Sequence, residues 1–415
     1  MDFYKFSHLA IGKKPNKNSI IALFKITPQK GLKLEKVAEA VAAESSVGTW
    51  THPYTLNKKI FDKLAARVIY VDKKNGLVKI EYPIELFERG NICQLLSTIA
   101  GNIFSMKIVK GLRLEDIKFP EKYINNFLGP YFGLNGVRKI FGIYRRPIIG
   151  CIMKPKVGLS PQKTAEVAYK VWKNGVDLIK DDETLTDMKS CKFEKRVKEV
   201  IKARKKVEKE TGTRKVFVFN VTSPIDEAIK RAKLVKKYGG RCVMMDVISM
   251  GFSALDYFRR QNLGLIIHGH RAGHSAFTRN KNHGISMLVL AKLLRLVGVD
   301  QLHTGTVVGK MEGKKEEVIK INEFLRGKFG KLKPVLPIAS GGMHPGLVPK
   351  LMKILGGDLV INFGGGIHGH PKGSEAGAKA VYQAIEAAMR NISLEVYAKT
   401  HKELKEALEY WKEKS

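Results

Sequence analysis

From about Pro147 to Phe363 the chain repeats one unit eight times: a short β-rich run, a loop and, usually, a helical pattern. The runs are Ile148–Met153, Val176–Lys180, Val216–Asn220, Cys242–Asp246, Leu265–His268, Gln301–His303, Val335–Ala339 and Asp358–Phe363. Eight such units in roughly 250 residues are the pattern of a closed parallel (β/α)8 barrel. Beyond them, Leu394, Tyr397, Leu404, Leu408 and Trp411 recur at helical spacing, so the tail should pack back on the barrel.

Residues 1 to about 128 follow a different rhythm. Ser19–Thr27 and Gly76–Tyr82 alternate or run apolar as strands do. Leu34–Glu44 and the stretch around Leu95–Phe104 read as helices, predicting a small sheet covered by helices on one face. The fold expected is α/β: an N-terminal α+β domain of ferredoxin-like type over 1–128, then a TIM barrel with a helical tail over 129–415.

Composition excludes several classes. With 44% hydrophobic and 27% charged residues, the chain can bury a core. No window approaches the roughly 20 apolar residues of a membrane span, and the start shows no long apolar signal region. Four cysteines, Cys93, Cys151, Cys191 and Cys242, form no C-x-x-C pair, which argues against zinc or a disulfide framework and for a cytoplasmic protein. The net charge of +35 raises the question of a nucleic-acid partner. However, the lysine-rich run Lys192–Lys209 keeps Val197, Val200, Ile201 and Val207 at helical spacing, and aromatics are not interleaved with its lysines as a single-strand binding platform would need. A solvated basic surface and an anionic substrate explain it better, so neither nucleic acid nor membrane is expected as a partner.

Reactive residues cluster just past the strand ends, the face on which such barrels carry their sites. They are Lys154 and Lys156; Lys180, Asp182 and Glu183; His268, His270, Arg271 and His274; His303; Ser340, Gly341 and Gly342; and Gly364, Gly365 and Gly366. A single histidine there is more often structural, and a single lysine is usually on the surface. The joint pattern across six strands carries the inference. Glycines after strands seven and eight let backbone N–H groups approach a phosphate, although tight turns alone would also use them. Arg271 and His303 suit a second anion. Lys180 and Asp182 point the same way along a strand, with Glu183 at the turn, and two carboxylates suit a hard cation such as Mg. Lys180 itself has two open uses, a Schiff base or modification into an oxygen ligand, beside the plain alternative of a buried ion pair. Glycines flank Gly305–Gly313, which reads as a hinged loop delivering Lys310 over bound substrate, or as an ordinary βα loop.

Eight segments then resemble one family. ESSVGTW (44–50), AGNIF (100–104), GCIMKPKVGLS (150–160), DLIKDDE (177–183), HGHRAGH (268–274), HTGTVVGKMEG (303–313), SGG (340–342) and FGGGIHGHPKG (363–373) are similar to the ribulose bisphosphate carboxylase large chain, in the family's order across nearly the whole chain. The short N-terminus looks most like the archaeal form III. The resemblance implies that Lys180 takes up a non-substrate CO2 as a carbamate, which binds one Mg with Asp182 and Glu183. It implies that this carbamate removes the C3 proton of ribulose 1,5-bisphosphate, and that Lys310, held by Glu44, stabilises the carboxylate formed with CO2. Lys154 then protonates the carbanion left by cleavage, with His270 and His303 assisting. Thr49, Trp50, Gly342, Gly364 and Gly365 would bind one phosphate, with Gly341 beside them. Arg271, His303 and Ser340 would bind the other. Asn102 would contact the metal-bound substrate, with Lys156 and His274 in support.

The resemblance further implies two 3-phosphoglycerates as product, O2 as a competing substrate, and a role in salvaging nucleotide ribose. It implies a homodimer in which Glu44, Thr49, Trp50 and Asn102 reach the partner's barrel, with rings of dimers in some relatives and no small subunit. Ile152, Thr184, Gly273 and Asn362 depart from the common Thr, Asn, Met and Gln, which bears on rate and gas selectivity more than on reaction class. Two alternatives stand beside this reading. One is a relative that only enolises or isomerises a sugar phosphate, which would typically have lost lid or substrate residues. The other is a basic RNA-binding protein on a retired barrel, which would show a steep salt dependence.

Overall fold

The computed structural model describes residues 5–51, 53–309 and 315–412. The chain forms two compact units: Met1–Leu128 with Gly273–Val297 and Phe329–Leu332, and Gly129–Ala272 with Gly298–Lys328 and Lys333–Ser415.

The first unit holds a five-stranded mixed sheet in the order Gly284–Ile285, Val109–Lys118, Ile20–Pro28, Leu77–Tyr82, Arg67–Asp72. The central strand Ile20–Pro28 buries Ile20, Ala22, Phe24 and Ile26, as its alternation requires. Helix Leu34–Glu44 has the predicted limits and buries Val37, Ala38 and Val41. The expected helix around Leu95–Phe104 is instead a helix over Ile92–Ile99 and a separate 3-10 turn over Asn102–Ser105. Asn91 caps the former through bonds from the Cys93 and Gln94 amides. The fifth strand comes from far along the chain: Gly284 and Ile285 pair in parallel with Arg113 and Leu114.

The second unit is a closed barrel of eight parallel strands, and Val216–Asn220, Cys242–Asp246 and Gln301–His303 match the predicted limits. The other five are Ile148–Ile152, Leu178–Lys180, Ile266–His270, Leu336–Ser340 and Val360–Phe363. Ile148, Leu178, Val218, Met244, Ile266, Ile338 and Val360 belong to one buried cluster, into which helix Gly133–Phe141 inserts Leu134, Val137 and Phe141. That helix plugs the end where the strands begin. Strand residues alternate sides, so the interior positions further along are set by parity. They are Gly150 and Ile152, Lys180, Asn220, Asp246, His268 and His270, Ser340, and Asn362. The interior thus changes from apolar to polar toward the strand ends. The tail forms two helices, Leu394–Ala398 and Lys402–Lys412, where one continuous pattern was expected.

Candidate active site

Lys180 ends the second barrel strand and is fully buried. Its Nζ donates to the Asp181 carbonyl at 2.8 Å and lies 3.5 Å from Glu183 Oε2. Burial pulls this amine below its usual range, against the raising effect of the Glu183, Asp182, Asp246 and Asp181 carboxylates. Asp182 follows with the same parity. One of its oxygens accepts from Lys154 Nζ at 2.8 Å and the other from Thr184 Oγ1 at 3.0 Å. Burial would raise the Asp182 carboxyl, but the bonds from Lys154 and Thr184 hold it low. Glu183 is likewise raised by burial and lowered more by Lys180 and His270, whose Nε2 is 3.7 Å away.

Asp181 has the opposite parity and leaves the interior. Its Oδ2 accepts from Arg196 Nε at 3.3 Å and Nη2 at 3.2 Å, and from the Asn220 amide at 3.0 Å. Arg196 sits on helix Phe193–Thr211 and is fully buried with Asp181. This pair fixes the main chain between Lys180 and Asp182.

The fifth, sixth and seventh strands contribute a chain of rings. Gln301 Oε1 meets His268 Nδ1 at 2.9 Å, His268 Nε2 meets His303 Nε2 at 2.9 Å, and His303 Nδ1 meets Ser340 Oγ at 2.8 Å. Burial drives His268 down to about 3 and His303 well below the normal imidazole value, so both are neutral at pH 7. One inter-ring contact is therefore an N–H donating to a bare ring nitrogen. His270 is oriented separately, by a 2.6 Å contact from Nδ1 to Asp246 Oδ1. Arg271 lies against Gly305, where a Cβ would sit 2.6 Å from its Nη2. Burial lowers this guanidinium to about 10.

A cavity of about 560 Å³ opens between the loops after the seventh and eighth strands. Gly309, Gly341, Gly342, Gly364, Gly365 and Trp411 line it. Gly341 (φ +112°) and Gly342 (φ +65°) adopt backbone that side-chain-bearing residues avoid. A larger cavity of about 630 Å³ lies where the strands begin. Its cations are already engaged, Arg146 with Asp177 at 2.6 Å and Lys215 with the Val176 carbonyl at 2.7 Å. The chemistry belongs at the other end.

One barrel mouth therefore brings together Lys154, Lys180, Asp182, Glu183, His270, Arg271, His303, Ser340 and the glycine loops. Lys156 is exposed on the loop after the first strand. Lys310 lies outside the described residues. Glu44, Thr49, Trp50, Asn102 and His274 belong to the first unit. There Glu44 and Thr49 are half-buried, Asn102 is exposed, Trp50 is 80% exposed, and His274 Nδ1 contacts Thr278 Oγ1 at 3.0 Å. Sequence reasoning missed Asp246, Asn220, Arg196, Gln301 and Trp411. Strand-end position and parity would have found the first two. A helix arginine and a tail tryptophan give no local signal of their partners.

The family described as ribulose bisphosphate carboxylase large chain, catalytic domain, matches residues 133–411, and its N-terminal domain matches residues 8–123. A curated relative from Methanocaldococcus jannaschii, named ribulose bisphosphate carboxylase, is 47% identical, with 98% of this chain and all of the relative covered. Octameric ribulose-1,5-bisphosphate carboxylase/oxygenase from Pyrococcus horikoshii OT3 superposes with a TM-score of 0.94 at 44% identity, covering 98% of each chain. The dimeric archaeal Rubisco of Hyperthermus butylicus gives a TM-score of 0.91 at 45% identity, covering 97% of this chain and 98% of that one. The order of glycine loops, lysines and acids around the barrel thus has a family to match it: this chain belongs to the ribulose bisphosphate carboxylase large-chain family.

Proposed function

We propose that this chain is a ribulose 1,5-bisphosphate carboxylase that adds CO2, or in competition O2, to its substrate, and that it needs one Mg per site. The observation that carries the reading is a buried Lys180 amine 3.5 Å from the Glu183 carboxylate, with Asp182 next along the same face. The donor set fits the metal. Adding CO2 to Lys180 replaces a cation by an anionic oxygen donor, which with Asp182 and Glu183 gives the all-oxygen environment that Mg prefers. When bound there, Mg supplies positive charge that polarises the substrate's oxygens.

The chain's own groups do the rest. A carbamate oxygen on Lys180 accepts the C3 proton of ribulose 1,5-bisphosphate. Lys154, held by Asp182 at 2.8 Å, is within reach of the same face and returns a proton to the cleavage product. His303, bonded to Ser340 and His268, orients the substrate, and Asp246 fixes His270 for proton transfer. Gly342, Gly364 and Gly365, with Gly341 adjoining and Thr49 and Trp50 reaching in from a second copy of the chain, receive one phosphate; Arg271, His303 and Ser340 receive the other. Lys310, steadied by Glu44 of that second copy, meets the new carboxylate. Asn102 contacts the substrate, and Lys156 and His274 support the rim.

We read residues 1–128 and 129–415 as the two domains, and a homodimer with shared sites as the minimum active form. The 80% exposure of Trp50 suits a residue that completes a partner's site. Rings of dimers accord with the octameric Rubisco of Pyrococcus horikoshii OT3. No small subunit is required. Nucleotide-ribose salvage in the cytoplasm is the proposed setting. The test is to activate the protein with Mg and bicarbonate, add ribulose 1,5-bisphosphate and labelled CO2, and look for acid-stable label in 3-phosphoglycerate. Label is expected; none, even at elevated temperature, refutes the reading.

A further inference from the structure

The larger cavity, about 630 Å³, lies where the barrel strands begin, at the opposite end from Lys180 and the glycine loops. Arg146, Lys173, Arg214, Lys215 and Lys379 line it against a single carboxylate, Asp177. Asp177 is already committed. Its two oxygens accept from Arg146 at 2.6 and 2.9 Å, and one of them also accepts from the Ile149 amide at 2.9 Å. Four lining cations are therefore left with no acid in the lining to answer them.

Two lining residues are buried donors short of acceptors. Lys215 is 3% exposed, and its ammonium donates to the Val176 carbonyl at 2.7 Å. That uses one of three N–H bonds, and no carboxylate pairs with it among the described residues. Burial pulls this amine below its usual range, with Asp177 the largest opposing influence. Trp172, near the end of helix Pro161–Lys173, is fully buried, and its Nε1 has no acceptor among the described residues. Buried donors left unused are destabilising and rare in native proteins. The other three cations are held loosely. Arg214 is exposed and bonds through Nη1 alone, to the Lys139 carbonyl at 2.8 Å and the Ile140 carbonyl at 3.5 Å. Lys173 meets Glu210 at 3.4 Å and Lys379 meets Glu403 at 2.7 Å, both as half-exposed pairs that give way readily to a better partner.

We propose that this cavity is a second anion site, which takes the phosphate group of a small phosphorylated molecule. A phosphate carries close to two negative charges and several acceptor oxygens, which suits four cations and two under-used donors better than a carboxylate does. The cavity is larger than the one between the glycine loops, so it also has room for the organic body that the phosphate carries. Its occupant sits a barrel's length from the Lys180 amine and is not the reacting molecule.

The chain has three tryptophans, so nitrogen-15 spectra resolve three indole N–H signals, and Trp172→Phe identifies the one in this cavity. Trp411 lines the glycine-loop cavity and reports that end separately. Inorganic phosphate is titrated into the whole protein, with chloride at matched ionic strength as the control. The Trp172 signal should move saturably with phosphate and not with chloride, and Lys215→Met should weaken that affinity at least fivefold while ribulose 1,5-bisphosphate binds as in the parent. Arg214→Gln serves the same purpose should Lys215→Met not fold. A Trp172 signal that stays still, or that chloride moves equally, overturns the proposal. So does a loss of less than fivefold in whichever variant folds, or an equal loss of ribulose 1,5-bisphosphate binding, which would mark a general effect of charge. The readout needs no turnover, so failure to fix labelled CO2 would count against the carboxylase reading alone.

Discussion

Replacing Arg196 by Met tests how the acid pair beside Lys180 is held. Arg196 and Asp181 are both 0% exposed, and Arg196 makes two bonds of 3.2–3.3 Å to the carboxylate. It also donates to the carbonyls of Cys191 at 2.9 Å and Thr186 at 2.8 Å. Methionine nearly fills the volume but leaves Asp181 as a buried charge whose remaining donor among the described residues is the Asn220 amide. Breaking a buried pair on one side costs about 3–5 kcal/mol. At about 2–4 °C per kcal/mol for a domain of this order, melting should fall by roughly 6–20 °C. Removing both charges, as Asp181→Leu with Arg196→Met, leaves the two carbonyls without donors and the Asn220 amide without an acceptor, at about 1 kcal/mol each. The double variant should therefore recover about 1 kcal/mol of the loss. Calorimetry and guanidinium titration of the parent, the single and the double variant read this directly. A single variant costing under about 1 kcal/mol, or a double variant no better than the single, refutes the reasoning.

Acid should weaken the protein through its buried rings. His268 is pulled down to about 3 when folded against about 6.5 unfolded, so the unfolded chain gains its proton first as pH falls. Stability is therefore complete above about pH 6.5 and declines below it, by about 2 kcal/mol at pH 5 from this residue alone. Urea midpoints at pH 7.5 and 5 check this, and a flat profile contradicts it. Gly305→Ala should raise KM at least tenfold, because Gly305 has φ +90° and its new methyl would lie 2.6 Å from Arg271 Nη2; an unchanged KM would free Arg271 from substrate binding. Lys310→Ala should stop carboxylation while sparing exchange of the C3 proton, and a variant that still fixes CO2 at a near-native rate removes Lys310 from the assignment.

Much of this architecture is legible in the sequence because a barrel strand states its own ends. Cys242–Asp246 and Val216–Asn220 are short apolar runs closing on a polar residue, and the structure keeps those limits. Parity then places Lys180 inside and Asp181 outside without reference to any partner. Gly284–Ile285 escapes notice because two residues carry no periodicity, and only the sheet edge they join makes them a strand. The tail breaks at 399–401 although its apolar spacing continues, because spacing alone does not mark a helix end. Arg196 is invisible for a further reason. In a lysine-rich helix it looks like one more surface cation, and only packing reveals that it faces inward to Asp181.

Lys180 as a CO2 acceptor is the claim on which the chemistry turns. Carbon-13 spectroscopy of the protein in labelled bicarbonate and Mg measures it without substrate or turnover. A carbamate resonance that strengthens with Mg and vanishes in Lys180→Ala is the expected result. No such resonance, or one that persists in Lys180→Ala, contradicts it.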